Sequence, residues 1–215
     1  TNTEVSLPCM FSVQGRRHYD EDAIQNSESL LNVLQHAGLR VVWNDNQSGC
    51  KGVCTGLETL RPDPAAFPAL CPDNRCLDEA LVDSSRSLLR DAQGNLVLVL
   101  HQHGNHGPSY FRRYPQTFRR FTPTCDEDDL SKCSREQIAN SYDNALAYTD
   151  HVVARTIELL KEVEDRYDTA LLYVSDHGES LGENGIYLHG LPYSIAPAQQ
   201  TQVPMVMWVS PGFAA

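Results

Sequence analysis

Apolar positions along the chain follow two periods. From Asp22 to Ala37, Ile24, Leu30, Leu31 and Leu34 fall near helical spacing and Gly38 stops the run, which predicts a helix. Leu39 to Trp43 reads as a short apolar strand, and Asn44 to Arg75 as loop, with several prolines and three cysteines. Leu77 to Arg90 is a second predicted helix. Leu96 to Leu100 (LVLVL) is a continuous apolar run, the pattern of a parallel strand buried on both faces. Pro123 to Cys133 is an acidic loop, and Ser134 to Tyr167 a long amphipathic helix that Ser134 and Gln137 can open as a capping box. Thr169 to Val174 (TALLYV) and Val203 to Val209 complete the predicted strands. Strands alternating with helices predict an α/β fold, a mostly parallel central sheet with helices on both faces. Sites in such sheets lie beyond the carboxyl ends of strands. Polar clusters stand at two of those ends: His101 to His106, and Asp176 with His177.

With 215 residues, the chain is long enough for one α/β domain with its own core. No run approaches the ~18 apolar residues of a membrane helix. A net charge of -11 argues against a nucleic-acid partner, whose binding surface would be basic. It equally opposes attraction to an anionic membrane by overall charge, so an anionic substrate has to be held by local groups. Arg112, Arg113, Arg119 and Arg120 form one basic island that could meet lipid phosphates or simply be solvated. Six of the seven cysteines fall into close pairs, Cys50 with Cys54, Cys71 with Cys76 and Cys125 with Cys133. Local disulfide loops of this kind fit an oxidising compartment such as the periplasm. Cys9 is left over, which points to a partner upstream of Thr1. A zinc site built from Cys50/Cys54 and Cys71/Cys76 fits less well, because structural zinc sites use tightly matched C-x₂₋₄-C halves.

Three segments carry candidate chemistry. In Ser175 to Gly190, SDHGESLGENGIYLHG, an Asp-His pair at a strand end offers a hard oxygen and an imidazole to a borderline metal such as zinc. Gly178 lets the backbone turn away, Glu179 can orient a ligand, and His189 returns from the following loop. In His101 to Pro108, HQHGNHGP, glycine-spaced histidines suit metal or phosphate oxygens better than an apolar core. His106 is the favoured member and His103 the bystander. In Thr1 to Ser12, TNTEVSLPCMFS, a hydroxyl at a helix start beside a metal could be a nucleophile. Residue types alone leave Thr1, Thr3 and Ser6 open, since N-capping is the commonest work of such residues.

Together with CKGVC, the arginine-tyrosine-proline run after HGNHGP, and YDNAL, these segments resemble the lipid A phosphoethanolamine transferases over the full length of the chain. That family includes the mobile colistin-resistance enzymes and lies in the alkaline phosphatase and sulfatase superfamily. The resemblance implies a threonine nucleophile six residues before Cys9, at Thr3. It implies zinc held by Thr3, Asp176, His177 and an upstream glutamate, with His101 near the site and sometimes tied to a second zinc. Lys51, His106 and His189 would recognise phosphoethanolamine, with Glu179 beside them. The implied reaction moves phosphoethanolamine from phosphatidylethanolamine to a lipid A phosphate and protects against polymyxins.

The upstream glutamate, the first core strand, the partner of Cys9, the membrane helices and a C-terminal tail would then lie outside this sequence. Residues 1–215 are expected to be part of the periplasmic domain of a monomeric inner-membrane enzyme. Competing expectations are another hydrolase or transferase of the superfamily (a sulfatase, a phosphodiesterase, a phosphoglycerol transferase) and a catalytically inactive metal- or headgroup-binding domain. A sulfatase would want Cys or Ser in a C/S-x-P-x-R setting, and Cys9-Met10-Phe11 does not supply it.

Overall fold

The computed structural model describes residues 1–214. In chain order its elements are α1 (Thr3–Met10), α2 (Glu21–Gln25), α3 (Leu30–His36), β1 (Arg40–Asp45), β2 (Glu58–Leu60) and α4 (Glu79–Asp91). These are followed by β3 (Leu96–His101), α5 (Arg135–Lys161), β4 (Ala170–Val174), β5 (Ser180–Glu183), β6 (Ile186–Leu188), α6 (Ala198–Thr201) and β7 (Met205–Val209). β2, β1 and β3 form a parallel sheet in that order. The β1–β3 register runs from Arg40 opposite Leu96 to Asp45 opposite His101, so the last two residues meet at the carboxyl edge.

Period-two alternation dresses both faces of this sheet. Val41 and Trp43 of β1, with Val97 and Val99 of β3, pack against Leu7 of α1 and Leu31 of α3. Leu96 and Leu98 face the other way, onto Val82 and Leu89 of α4 and Ala145, Tyr148 and Val152 of α5. Asn44 lies on that second face and is fully buried; its amide nitrogen donates to the Leu81 carbonyl and to the hydroxyls of Ser84 and Ser85. This polar tie fixes α4 over the end of β1, immediately before Asp45.

Several sequence expectations are corrected. The predicted helix over 22–37 is two helices. Asn26 ends α2 by turning its side chain onto the Asp22 carbonyl, and Ser29 opens α3 in a capping box with Asn32. Such short polar side chains compete with the helical backbone for hydrogen bonds. The long helix α5 ends at Lys161 rather than near Tyr167. β7 runs antiparallel to β4, in a ladder separate from the parallel sheet. Residues 180–188, without the apolar run of a core strand, form the β5–β6 hairpin. The three cysteine pairs are disulfides, as the sequence predicts, and Cys9 has no disulfide partner among the described residues.

Between β3 and β4 lies an apolar cleft of about 640 Å³. Residues of β3 and β4 line it, with Leu7, Phe11 and Leu34 on one side and Leu146, Leu159 and Leu160 on the other. Each of these strands is hydrogen-bonded on one edge only among the described residues, β3 to β1 and β4 to β7. At the carboxyl end of the cleft stand His101 to His106 and Ser175 to Glu179. No helix among the described residues is long and apolar enough to cross a membrane.

Leu81 is fully buried in α4, whereas Val13 is 93% exposed. Leu81→Ala should therefore lower unfolding free energy in a urea titration by about 2–5 kcal/mol. Val13→Ala should stay within about 0.5 kcal/mol of the parent chain.

Candidate active site

The site begins where β4 ends. After Val174 the chain delivers Ser175, Asp176 and His177, then turns at Gly178. A Cβ at Gly178 would lie 2.0 Å from the Gln199 carbonyl oxygen, so no other residue fits there. The Gly178 amide instead donates to the Gln200 carbonyl at 3.1 Å. His177 is buried, and its Nδ1 lies 3.1 Å from the Gly178 carbonyl, which leaves Nε2 facing the site. Asp176 Oδ2 lies 3.7 Å from that Nε2, is itself buried, and has no hydrogen-bond partner among the described residues.

The third group comes from the start of the chain. Asn2 caps α1 by accepting from the Val5 amide, which frees Thr3, the first helical residue, from capping. Thr3 Oγ1 stands 3.4 Å from His177 Nε2. Beside it, Glu4 pairs with Lys51 at 2.8 Å. Lys51 sits in the Cys50–Cys54 loop with a left-handed backbone (φ 51°), so that disulfide loop carries a cation up to the first turn of α1.

Three histidines close the site. The rings of His177 and His189 stack with centroids 4.0 Å apart, and the His106 centroid is 4.7 Å from that of His189. His106, His177 and His189 each offer a nitrogen, all within 4.8 Å of one another. Glu179 holds this group together. Its Oε1 accepts from the Gly107 amide and pairs with His189 Nδ1, both at 3.0 Å, and its Oε2 accepts from the Tyr110 hydroxyl at 3.2 Å. Burial pushes this carboxyl upward in pKa, but the hydrogen bonds from His189 and Gly107 and the neighbouring histidine charges outweigh it, and the net shift is down. His106 donates through Nδ1 to the Gly107 carbonyl at 2.6 Å. Burial leads the shift of its ring below the ordinary histidine range, which favours the neutral form.

Thr3, Asp176, His177, His106 and His189 are thus brought together. His101 is not part of the three-histidine group. Its Nδ1 lies 2.6 Å from Asp45 Oδ1, and its ring packs on Trp43. Burial raises the pKa of Asp45, but the hydrogen bond and charge of His101, with Trp43 and Arg61, pull it to about 2. Glu179, expected to orient a ligand and to stand among the substrate-recognising groups, is buried with both oxygens bonded to protein donors.

Two contributors escaped the sequence reading. Asp45 could have been found, because it stands at the carboxyl end of a predicted strand's extension. Gln200 gave no signal. It is buried, accepts from the Thr1 hydroxyl at 2.8 Å, and donates to the Ser180 hydroxyl and the Leu188 carbonyl, joining the chain start to the β5–β6 hairpin.

The chemistry of the donor set identifies what it can hold. A buried carboxylate oxygen without a partner is costly unless a cation or donor meets it. Asp176 Oδ2, His177 Nε2 and Thr3 Oγ1 converge as one hard oxygen, one imidazole and one hydroxyl. That set fits a divalent cation.

Comparison with known proteins agrees with this architecture. The chain is 50% identical over 210 residues to phosphoethanolamine transferase EptA of Escherichia coli K12, a match that covers 98% of this chain and 38% of that protein. It is 42% identical over 215 residues to phosphatidylethanolamine transferase Mcr-1 of Escherichia coli, covering 97% of this chain and 40% of that one. Among solved structures it superposes on the integral membrane protein lipooligosaccharide phosphoethanolamine transferase A of Neisseria meningitidis, with a TM-score of 0.91 and 43% identity, covering 99% of this chain and 40% of that one. The chain therefore spans about two fifths of the length of these relatives. The sulfatase family profile matches residues 1–215, and the chain belongs to that family.

Proposed function

We propose that this chain is the catalytic part of a zinc-dependent transferase that moves phosphoethanolamine from phosphatidylethanolamine to a lipid A phosphate through a phosphothreonine at Thr3. The convergence of Thr3 Oγ1 and His177 Nε2, 3.4 Å apart, with the unpartnered Asp176 Oδ2 carries the proposal. The phosphoethanolamine transferase names of relatives at 42% and 50% identity support the transferred group. Three disulfides support a periplasmic location, and the membrane-embedded neighbour supports anchoring in the inner membrane by a segment outside this sequence. Transfer to lipid A would lower its negative charge and so protect against polymyxins.

Asp176, His177 and Thr3 would hold the zinc ion, with a glutamate from an upstream strand, for which the cleft between β3 and β4 offers room. When bound, zinc supplies Lewis acidity that activates a hydroxyl and neutralises charge on phosphoryl oxygens. Thr3 Oγ1 attacks phosphorus as the bond to the diacylglycerol oxygen breaks. His106 or His189 takes the threonine proton and returns it to that departing oxygen. An oxygen of the acceptor phosphate then attacks the same phosphorus as the bond to Thr3 breaks, and the same histidine carries the acceptor phosphate's proton to the departing Thr3 oxygen, restoring the hydroxyl. His189, oriented by Glu179, and Lys51 meet the charge that shifts onto the phosphoryl oxygens. His106, His177 and His189 lie close enough for a further cation.

In the complete membrane enzyme, Thr3→Ala should abolish the covalent phosphoenzyme seen by mass spectrometry and reduce lipid A modification by about 10³-fold or more. Retained modification would overturn the assignment. Asp176→Asn should lower zinc affinity more than about tenfold in a chelator titration while the circular dichroism spectrum is kept. Glu179→Gln should cut kcat about 10- to 100-fold with bound zinc retained, the signature of misaligned histidines rather than a lost ligand.

A further inference from the structure

Beside the histidine cluster, and sharing His103 with the β3–β4 cleft, lies a second pocket of about 710 Å³. Four arginines line it, Arg61, Arg75, Arg112 and Arg113, together with His103. This concentration of cations stands out in a chain of net charge -11. It also divides the basic island recognised in the sequence. Arg112 and Arg113 enter the pocket, whereas Arg119 pairs with Asp126 at 2.7 Å and Arg120 lies over the Phe118 ring, and neither lines it.

The pairing of the four guanidinium groups is uneven. Arg61 is engaged by Asp45 and Arg112 by Asp128. Arg113 is half-buried, donates through Nε to the His106 carbonyl at 2.9 Å, and has no carboxylate within ion-pair distance among the described residues. Its nearby acid, Asp78, is already bonded to the Asn46 side chain and to the amides of His103 and Gly104. Arg75 makes no side-chain hydrogen bond or ion pair among the described residues. Two guanidinium groups of the pocket lining are thus left with donors unspent, Arg75 exposed and Arg113 half-buried, and a half-buried cation without a counter-charge is unfavourable. A planar fork of N–H donors matches phosphate oxygens in charge and geometry. The pocket is close to the chemistry, because Arg113 holds the carbonyl of the residue whose ring belongs to the cluster, and the His103 and His106 rings meet edge to face at 6.1 Å.

We propose that Arg75 and Arg113, with Arg61 and Arg112 at the rim, form a subsite for a phosphate monoester group of the acceptor lipid, distinct from the phosphoethanolamine-binding groups around Thr3. This rests on the transferase reading. The subsite anchors the acceptor through one phosphate while phosphoryl transfer takes place at Thr3, so it governs the second half of the reaction and not the first.

The test uses the complete enzyme in detergent and measures the two half-reactions separately. Phosphoenzyme formation from phosphatidylethanolamine alone reports the first, and discharge onto lipid A the second. Arg75→Ala is expected to raise the KM for lipid A about tenfold, the worth of one charge-assisted contact, and to leave phosphoenzyme formation within about twofold. Arg75→Lys should recover part of the loss, Arg113→Ala should repeat the acceptor effect, and Arg119→Ala, outside the pocket, should change neither half-reaction. Inorganic phosphate should compete with lipid A in the parent enzyme and do so less effectively in Arg75→Ala. Unchanged acceptor KM in both Arg75→Ala and Arg113→Ala would overturn the subsite. So would equal competition by phosphatidylglycerol vesicles, because the site would then read a general anionic surface. Absence of any phosphoenzyme in the parent would instead overturn the transferase reading itself.

Discussion

Glu179 gathers three donors onto two buried oxygens, and the geometry of the site depends on that gathering. The Gly107 amide belongs to the loop after β3, the Tyr110 hydroxyl to the turn beyond it, and His189 to the segment after β6. None of these segments is hydrogen-bonded into the parallel sheet, so the sheet alone cannot align them. A buried carboxylate can, because each bond lost would leave charge uncompensated in a poor solvent. The net downward shift of its pKa states the same balance: surrounding donors stabilise the anion more than burial penalises it. His189 consequently presents one fixed nitrogen to the cluster, and the His106 loop is held at matching height.

Regular pattern made the scaffold legible in the sequence. LVLVL and TALLYV are read as buried strands because an uninterrupted apolar run suits a strand covered on both faces, and both are strands. The direction of the last strand was not legible, since period-two alternation is the same for parallel and antiparallel pairing, and β7 runs antiparallel to β4. The break between α2 and α3 rested on side-chain hydrogen bonds of Asn26 and Ser29, which helical periodicity does not register. Of the residues singled out for their chemistry, Asp176, His177, His106 and His189 lie together in the structure. The choice of Thr3 over Thr1 and Ser6 came from family resemblance. In the structure Asn2 takes the cap and Thr1 is spent on Gln200 and the Leu191 carbonyl, while the Thr3 hydroxyl faces His177. Gln200 itself was invisible, a buried amide whose whole role is in contacts distant along the chain.

Charge is handled locally rather than globally. The chain as a whole is acidic, yet Lys51 stands near Thr3 and four arginines line the pocket beside His103. Acidic partners such as Glu4, Asp45 and Asp128 hold several of these cations in place before any ligand arrives. That arrangement reduces the reorganisation needed when charge moves during a reaction.

The turn at Gly178 makes the Asp176–His177 corner inseparable from a distant stretch of chain. With the Gln199 carbonyl pressed against the glycine and the Gln200 carbonyl receiving its amide, Asp176 and His177 take their bearing from α6 as much as from β4. The two residues are consequently not a cassette. A designer grafting SDHGES onto the end of a foreign strand would have to transplant residues 199–200 as well, in register, or the carboxylate and the imidazole would diverge.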